Sequence, residues 1–394
     1  MSHRFAARSF RVEDSFIVEI FKYLQDKEMI SFSGGFPNPD SFPIEALRKA
    51  SDIVFRQEGK SVLQYAQTEG YLPLRQFISA RYKKVYDLDI PAEEILITSG
   101  SQQALDFIAK TFLDPNDKVL LEEPSYLGAI QTFNSYEAGF ITVPLNEDGI
   151  DLVKLEKALI EHDPKLIYVI PNFQNPSGVT YSETNRAQFC EIVRKFNVIV
   201  IEDDPYGELH FTNQKRTPLK SLLPEQVLLM GSFSKTVSPG LRLGWVCAPK
   251  AIYKKLFTCK EASDLHSSNL DQHLITRYLQ DNDYDEHIAS IRSLYKTRKE
   301  TMVSAIESFF PKEVRVYPVY GGMFLWVILP QGMSSLDLFY EAVKEKVVFV
   351  PGDPFYVDQK HVNALRLNFS NASEADITEG IKRLAEVIKQ QLKK

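Results

Sequence analysis

Between residues 95 and 235 the sequence keeps repeating one unit. A strand-length apolar run ends in a cluster of polar residues, and an amphipathic stretch follows. Ile95–Thr98 leads into Ser99-Gly100-Ser101 and a helical pattern over Gln102–Phe112; Lys118–Leu121 ends at Glu122-Glu123-Pro124-Ser125-Tyr126. Leu166–Ile170 runs into Pro171-Asn172-Phe173-Gln174-Asn175-Pro176, and Val198–Ile201 into Glu202-Asp203-Asp204-Pro205-Tyr206. Val227–Met230 ends at Gly231-Ser232-Phe233-Ser234-Lys235. Strands separated by helices cannot pair as hairpins, so the pattern predicts a mainly parallel sheet with helices on both faces. Ligands of such sheets bind beyond the carboxyl ends of the strands. Ser101, Tyr126, Asn175, Asp203, Tyr206 and Lys235 should therefore share one rim.

The flanks differ from this core. Phe16–Tyr23 reads as a short amphipathic helix, followed by the turn-rich Ser33-Gly34-Gly35-Phe36-Pro37-Asn38-Pro39. From about Asn269 to Phe309 the pattern is long-helical; Val314–Val319, Met323–Leu329 and Leu365–Phe369 read as strands before a final helix. The 394 residues exceed one ordinary domain of ~100–200. The expected fold is α/β: a large domain over 46–285 and a smaller α+β domain built from 1–45 and 286–394.

Charge and composition narrow the function. A net charge of −6 argues against a nucleic-acid partner, which clustered basic charge would attract. No window approaches the ~18 apolar residues of a membrane span, and the first residues lack the apolar stretch of a signal peptide. Cys190, Cys247 and Cys259 are odd in number with no CxxC pair, as expected of structural thiols in a reducing, cytoplasmic compartment. His3, His162, His210, His266, His273, His287 and His361 show no HExxH or other ligand spacing, so no metal is expected. No GxGxxG follows a strand, and Gly231–Thr236 lacks the glycine before lysine that a P-loop needs.

Consider the rim as a binding site for a flat, phosphorylated heterocyclic aldehyde. Thr98–Gln103 passes from strand to helix through glycine, leaving backbone N–H groups free for a phosphate, with Ser101 and Gln102 as added donors; the same residues would also serve as a plain helix cap. Lys235, between Ser234 and Thr236, is a candidate imine-forming amine, although most lysines are solvated surface charges. Arg242 lies among Leu241, Leu243 and Trp245 and needs an anion, either a phosphate or a buried carboxylate. A carboxylate at Asp203 would keep a pyridine nitrogen protonated and make the ring an electron sink; its other reading is a helix cap within an acidic cluster. Tyr206 and Asn175 could tune such a ring. Tyr126 could stack on it or pack as an ordinary half-buried aromatic.

Taken in order, these motifs resemble the fold-type I pyridoxal-phosphate aminotransferases of class I/II. The chain is most similar to the subgroup with 2-aminoadipate, kynurenine and multi-substrate aminotransferases, which is related to the aminotransferase-like domains of GntR-type regulators. The resemblance rests on Ser99-Gly100-Ser101-Gln102-Gln103, Pro171–Gly178, Asp203-Asp204-Pro205-Tyr206, Gly231–Lys235, Pro239–Gly244 and Leu365–Phe369, and covers about Phe32 to Phe369. It implies an aspartate-aminotransferase-like fold, pyridoxal 5'-phosphate as cofactor, and amino acid and 2-oxo acid substrates. Lys235 would be the imine-forming lysine and proton shuttle, Asp203 the partner of the pyridine nitrogen, and Asn175 and Tyr206 partners of the phenolic oxygen. Ser101, Gln102, Ser232, Ser234 and Arg242 would hold the phosphate, with Tyr126 on the ring face. Arg366 would fork the substrate α-carboxylate, with Asn175 and the Gly35 backbone beside the substrate. Tyr65 would reach the partner's site, so that a homodimer with shared active sites is implied.

One position departs from the relatives that take acidic side chains. Their N-terminal helix supplies an arginine, whereas Phe16-Ile17-Val18-Glu19-Ile20-Phe21-Lys22 has none after Arg11. Val18 falls at that place, which predicts a preference for neutral, apolar or aromatic donors; Phe16, Ile17 and Ile20 could instead simply pack the helix down. The same cofactor cradle also serves β-lyases and synthases, and a non-catalytic sensing domain is a further alternative. The chain begins almost at the aminotransferase region, leaving no expected room for a DNA-binding domain.

Overall fold

A computed structural model describes residues 4–11, 16–23, 25–357 and 362–393. His3, His361 and the Ile17 side chain lie outside the described residues. The large sheet has eight strands, in spatial order Ile95–Thr98, Gly244–Cys247, Val227–Ser232, Ile199–Asp203, Leu166–Val169, Lys118–Glu123, Gly139–Asn146 and Gly149–Ile150. The run from Val227–Ser232 to Gly139–Asn146 is parallel throughout. Gly244–Cys247 runs antiparallel to both neighbours, and Gly149–Ile150 antiparallel to Gly139–Asn146.

The apolar runs are continuous because both faces of the sheet are covered. Leu166 and Tyr168 enter one hydrophobic core while Ile167 and Val169 enter the other, following the two-residue side-chain period. Three strands were not separate units in the sequence pattern. Gly244–Cys247 has only four residues and no polar cluster at its end; Gly139–Asn146 is mostly half-buried and contains Pro144, and Gly149–Ile150 has only two residues.

Strand ends also reach further into the polar clusters than apolar periodicity predicts. The ladders extend to Glu123, Asp203 and Ser232, so Glu122, Glu202 and Asp203 are strand residues. Alternation separates Glu202 from Asp203. Glu202 accepts from the amides of Leu219 and Lys220, both at 2.9 Å, at the start of helix Leu219–Leu222. In the acidic cluster it is thus Glu202 that meets a helix start, while Asp203 lines the cavity.

A smaller antiparallel sheet joins Arg315–Val316, Phe324–Ile328, Ala364–Asn368 and Val350–Pro351. Ile30–Ser31 pairs in parallel with Val347–Val348, bringing the two ends of the chain together. The expected long-helical region is two helices, Asn269–Asp281 and Tyr284–Phe309. Asp283 breaks the pattern by accepting from the amides of Asp285 and Glu286 and capping the second helix.

Strand Ile95–Thr98 turns into helix Ser101–Phe112 at Gly100, whose φ of +82° suits glycine. Gly244, opposite Thr98 in the ladder, lies against that turn. A Cβ there would sit 2.7 Å from both the Gly100 carbonyl carbon and the Ser101 nitrogen, which are backbone atoms. Gly244→Ala should cost about 1–3 kcal/mol through overpacking, read as a lower denaturant midpoint. A wild-type midpoint would show that this close approach does not constrain the turn.

Candidate active site

The carboxyl ends of the parallel strands open into a cavity of about 490 Å³. Ser101, Gln102, Tyr126, Asn175, Asp203, Tyr206, Ser232, Ser234, Lys235 and Arg242 line it from the large sheet and its loops. Gly35 and Arg366 enter from the side of the smaller sheet. Every expected site residue except Tyr65 is therefore at one cavity. Tyr65 is 78% exposed and meets His266 edge-on at 5.9 Å.

Asp203 is buried beneath the cavity. The Tyr168 hydroxyl donates to its Oδ2 at 2.7 Å, while Oδ1 has no hydrogen-bond partner. Loss of solvent pushes the carboxyl up to about 7, against the Tyr168 hydrogen bond and with help from Asp204. An acceptor oxygen left bare in the interior is costly unless a donor fills it.

Lys235 donates to the Gly35 carbonyl at 2.7 Å. Loss of solvent, and then the positive charges of Arg366 and Arg242, bring its ammonium down to about 8. Arg366 donates through Nη1 to Asn175 Oδ1 at 2.8 Å and through Nη2 to the Ser33 carbonyl at 2.6 Å; its Nε is buried without a partner. Its guanidinium lies 4.3 Å from the Phe324 ring centre and 5.2 Å from that of Phe355. Burial lowers it to about 10, with Tyr206 and Tyr126 opposing the shift. Burial also raises Tyr206 above its ordinary range, and a side-chain hydrogen bond with Asn175 partly offsets this.

Across the cavity, helix Ser101–Phe112 begins without a side-chain cap. The Arg242 guanidinium reaches only the carbonyls of Pro239 and Ser99, at 3.3 and 3.4 Å, and no carboxylate pairs with it among the described residues. The Ser232 hydroxyl accepts from the Ser234 amide at 3.0 Å. A capless helix start, an arginine without an acid and two hydroxyls form an anion cradle. Pyridoxal 5'-phosphate fits this set of groups: the cradle suits its phosphate, the bare Asp203 oxygen suits a protonated ring nitrogen, and the Lys235 amine suits its aldehyde.

Several supporting residues were not marked by the motifs. Tyr168 sits in an otherwise apolar strand, where a buried hydroxyl must find a partner, and that requirement was its signal. Phe324, Phe355 and the Ser33 carbonyl come from distant segments and gave none. Val18 and Ile20 of helix Phe16–Tyr23 also line the cavity, and Val18 is half exposed.

This arrangement is the aspartate-aminotransferase-like fold, with its site at the carboxyl rim of the sheet. The family model for aminotransferase class I and II matches residues 27–384, and the chain belongs to that family. Its sequence is 37% identical over 396 residues to an aromatic-amino-acid aminotransferase of Thermococcus litoralis, covering 99% of this chain and 95% of that protein. The kynurenine aminotransferase structure from Pyrococcus horikoshii is 39% identical with a TM-score of 0.95, covering 99% of this chain and 98% of that one. The alpha-aminoadipate aminotransferase of Thermus thermophilus, solved with N-(5'-phosphopyridoxyl)-L-leucine, is 39% identical with a TM-score of 0.92 and the same coverage.

Asp203→Asn should stabilise the cofactor-free protein. The native carboxyl titrates near 7, whereas an unfolded Asp titrates near 3.8, so the wild type loses stability from this group as pH rises from about 4 to about 7. The variant's advantage should be complete above about pH 7 and shrink as pH falls towards 4. Thermal melting of the two cofactor-free proteins across this range checks it; an advantage that grows towards acid would contradict the assignment.

Proposed function

We propose that this aminotransferase, working with pyridoxal 5'-phosphate, moves the amino group of a neutral or aromatic L-amino acid to a 2-oxo acid such as 2-oxoglutarate. The carrying observation is the convergence of a half-satisfied Asp203, an amine at Lys235 and a buried Arg366 on one cavity. When bound, the cofactor supplies an electron sink for the charge released at the substrate α-carbon and carries the amino group between the two acids. Ser101, Gln102, Ser232, Ser234 and Arg242 would hold its phosphate. Tyr126 would cover the ring face, Asn175 and Tyr206 would hold the phenolic oxygen, and Asp203 would keep the ring nitrogen protonated. Arg366 binds the α-carboxylate through its forked N–H groups, with Asn175 and the Gly35 backbone beside the substrate. Lys235 would hold the cofactor through its aldehyde carbon, and its Nζ would be the group that moves the substrate α-proton.

Val18 and Ile20 support the donor preference, since they offer an apolar wall where a second carboxylate would need a cation. The exposed apolar residues Leu63, Tyr65 and Leu265 support a homodimer in which Tyr65 completes the partner's site. Pairing of Ile30–Ser31 with Val347–Val348 supports a smaller domain of 1–45 and 286–394 around a cofactor domain of 46–285. The absence of any described helix long and apolar enough to cross a membrane is compatible with a cytoplasmic enzyme.

Two measurements test this reading. Lys235→Ala should abolish amino transfer while leaving the protein folded, and an active variant would sink the assignment. In steady-state assays, leucine or phenylalanine should exceed 2-aminoadipate in kcat/KM by about tenfold or more, because an apolar wall leaves the second carboxylate unpaired. The opposite ranking would remove the role given to Val18.

A further inference from the structure

Glu122 lies on strand Lys118–Glu123, is 1% exposed, and is not among the residues that line the cavity. Three donors converge on it. Its Oε2 accepts from the Ile170 amide at 3.2 Å and from Gln174 Nε2 at 3.1 Å, and its Oε1 accepts from the Tyr181 hydroxyl at 2.7 Å. Gln174 is clamped at both ends of its amide. Nε2 also donates to the Pro124 carbonyl at 2.8 Å, while Oε1 accepts from the Ser177 amide and hydroxyl at 2.8 and 2.6 Å. Asn175, whose Oδ1 takes the hydrogen bond from Arg366, sits between these fixed points. We propose that Glu122 is a positioning residue which, through Gln174, sets the Asn175 loop and so aims the Arg366 guanidinium at the substrate carboxylate.

Geometry and charge at this position can be separated by substitution. A glutamine at 122 can keep its carbonyl oxygen at the Oε2 position, accepting from Ile170 and Gln174. Its NH2 then faces the Tyr181 hydroxyl, which accepts as readily as it donates. Glu122→Gln thus preserves every contact of the hub, whereas Glu122→Leu leaves three buried donors short of a partner. Burial raises the native carboxyl to about 7, and its neutral form, like glutamine, pairs one accepting oxygen with one donating group.

The inference rests on the reading of Arg366 as the α-carboxylate's partner. Its test compares holoenzymes of Glu122→Leu, Gln174→Met, the double variant, Glu122→Gln and, as reference, Arg366→Lys. The expected result for Glu122→Leu and Gln174→Met is a rise of about tenfold in KM for the amino acid, with kcat down less than about threefold, the signature of lost carboxylate binding. The dissociation constant of pyridoxal 5'-phosphate should stay within about threefold, and the double variant should be no worse than either single one, because both cut one chain of contacts. Glu122→Gln should return KM to within about twofold of the wild type. If Glu122→Leu does not fold, Gln174→Met carries the test by itself. An unmoved KM with kcat and cofactor affinity falling together, or a Glu122→Gln as damaged as Glu122→Leu, overturns the inference. If Arg366→Lys leaves KM unchanged, the site reading fails and takes the inference with it. If only Arg366→Lys raises KM, the inference alone fails.

Discussion

The site is organised around a buried carboxylate that the chain satisfies only halfway. Tyr168 occupies one oxygen of Asp203, and the other faces the cavity with nothing to accept from. Such a group destabilises the cofactor-free protein. The fold keeps it because the strand Ile199–Asp203 is held by parallel neighbours on both sides. Around it stand Lys235, Arg242 and Arg366, so the cavity combines one unfilled acceptor with three cationic groups. That pattern is complementary to a ligand pair with a protonated ring nitrogen, a phosphate and a carboxylate. The overall charge of −6 is no guide to it, because the cations act locally.

The remaining contacts tie the beginning of the chain to the cavity. Lys235 reaches a carbonyl 200 residues earlier, and Arg366 reaches one 333 residues earlier. Both acceptors lie in the turn-rich Ser33–Gly35, just after the strand Ile30–Ser31 that pairs with Val347–Val348. Residues from the smaller sheet, the large sheet and the N-terminal segment thus share one network, and the site forms only when the long-range pairings are in place. The polar hub at Glu122 extends the same logic below the cavity surface, where neutral or charged oxygen acceptors fix a loop that apolar packing alone would leave free.

Much of this was legible in sequence because it is periodic or local. Five apolar runs ending in polar clusters gave the sheet, its parallel sense and the rim, and helix Phe16–Tyr23 has the bounds its pattern predicts. Other features depend on what a residue meets across the fold. Gly244–Cys247 is a strand because two neighbours offer it ladder partners, which its four residues cannot reveal. Glu202 and Asp203 are adjacent acids, and the alternation of a strand that continues through both gives one to a helix start and the other to the cavity. Tyr168 and Gln174 matter through residues 35 and 52 positions away, a distance no local spacing encodes.

The most direct test of this account is the protonation state of the ring nitrogen in the holoenzyme, read by 15N NMR of pyridoxal 5'-phosphate labelled at that position. If the bare oxygen of Asp203 receives the ring nitrogen, the signal should be that of a protonated pyridinium throughout neutral pH, and should move to the neutral form in Asp203→Asn. A neutral nitrogen in the wild type, or a signal unchanged by the substitution, would contradict the account.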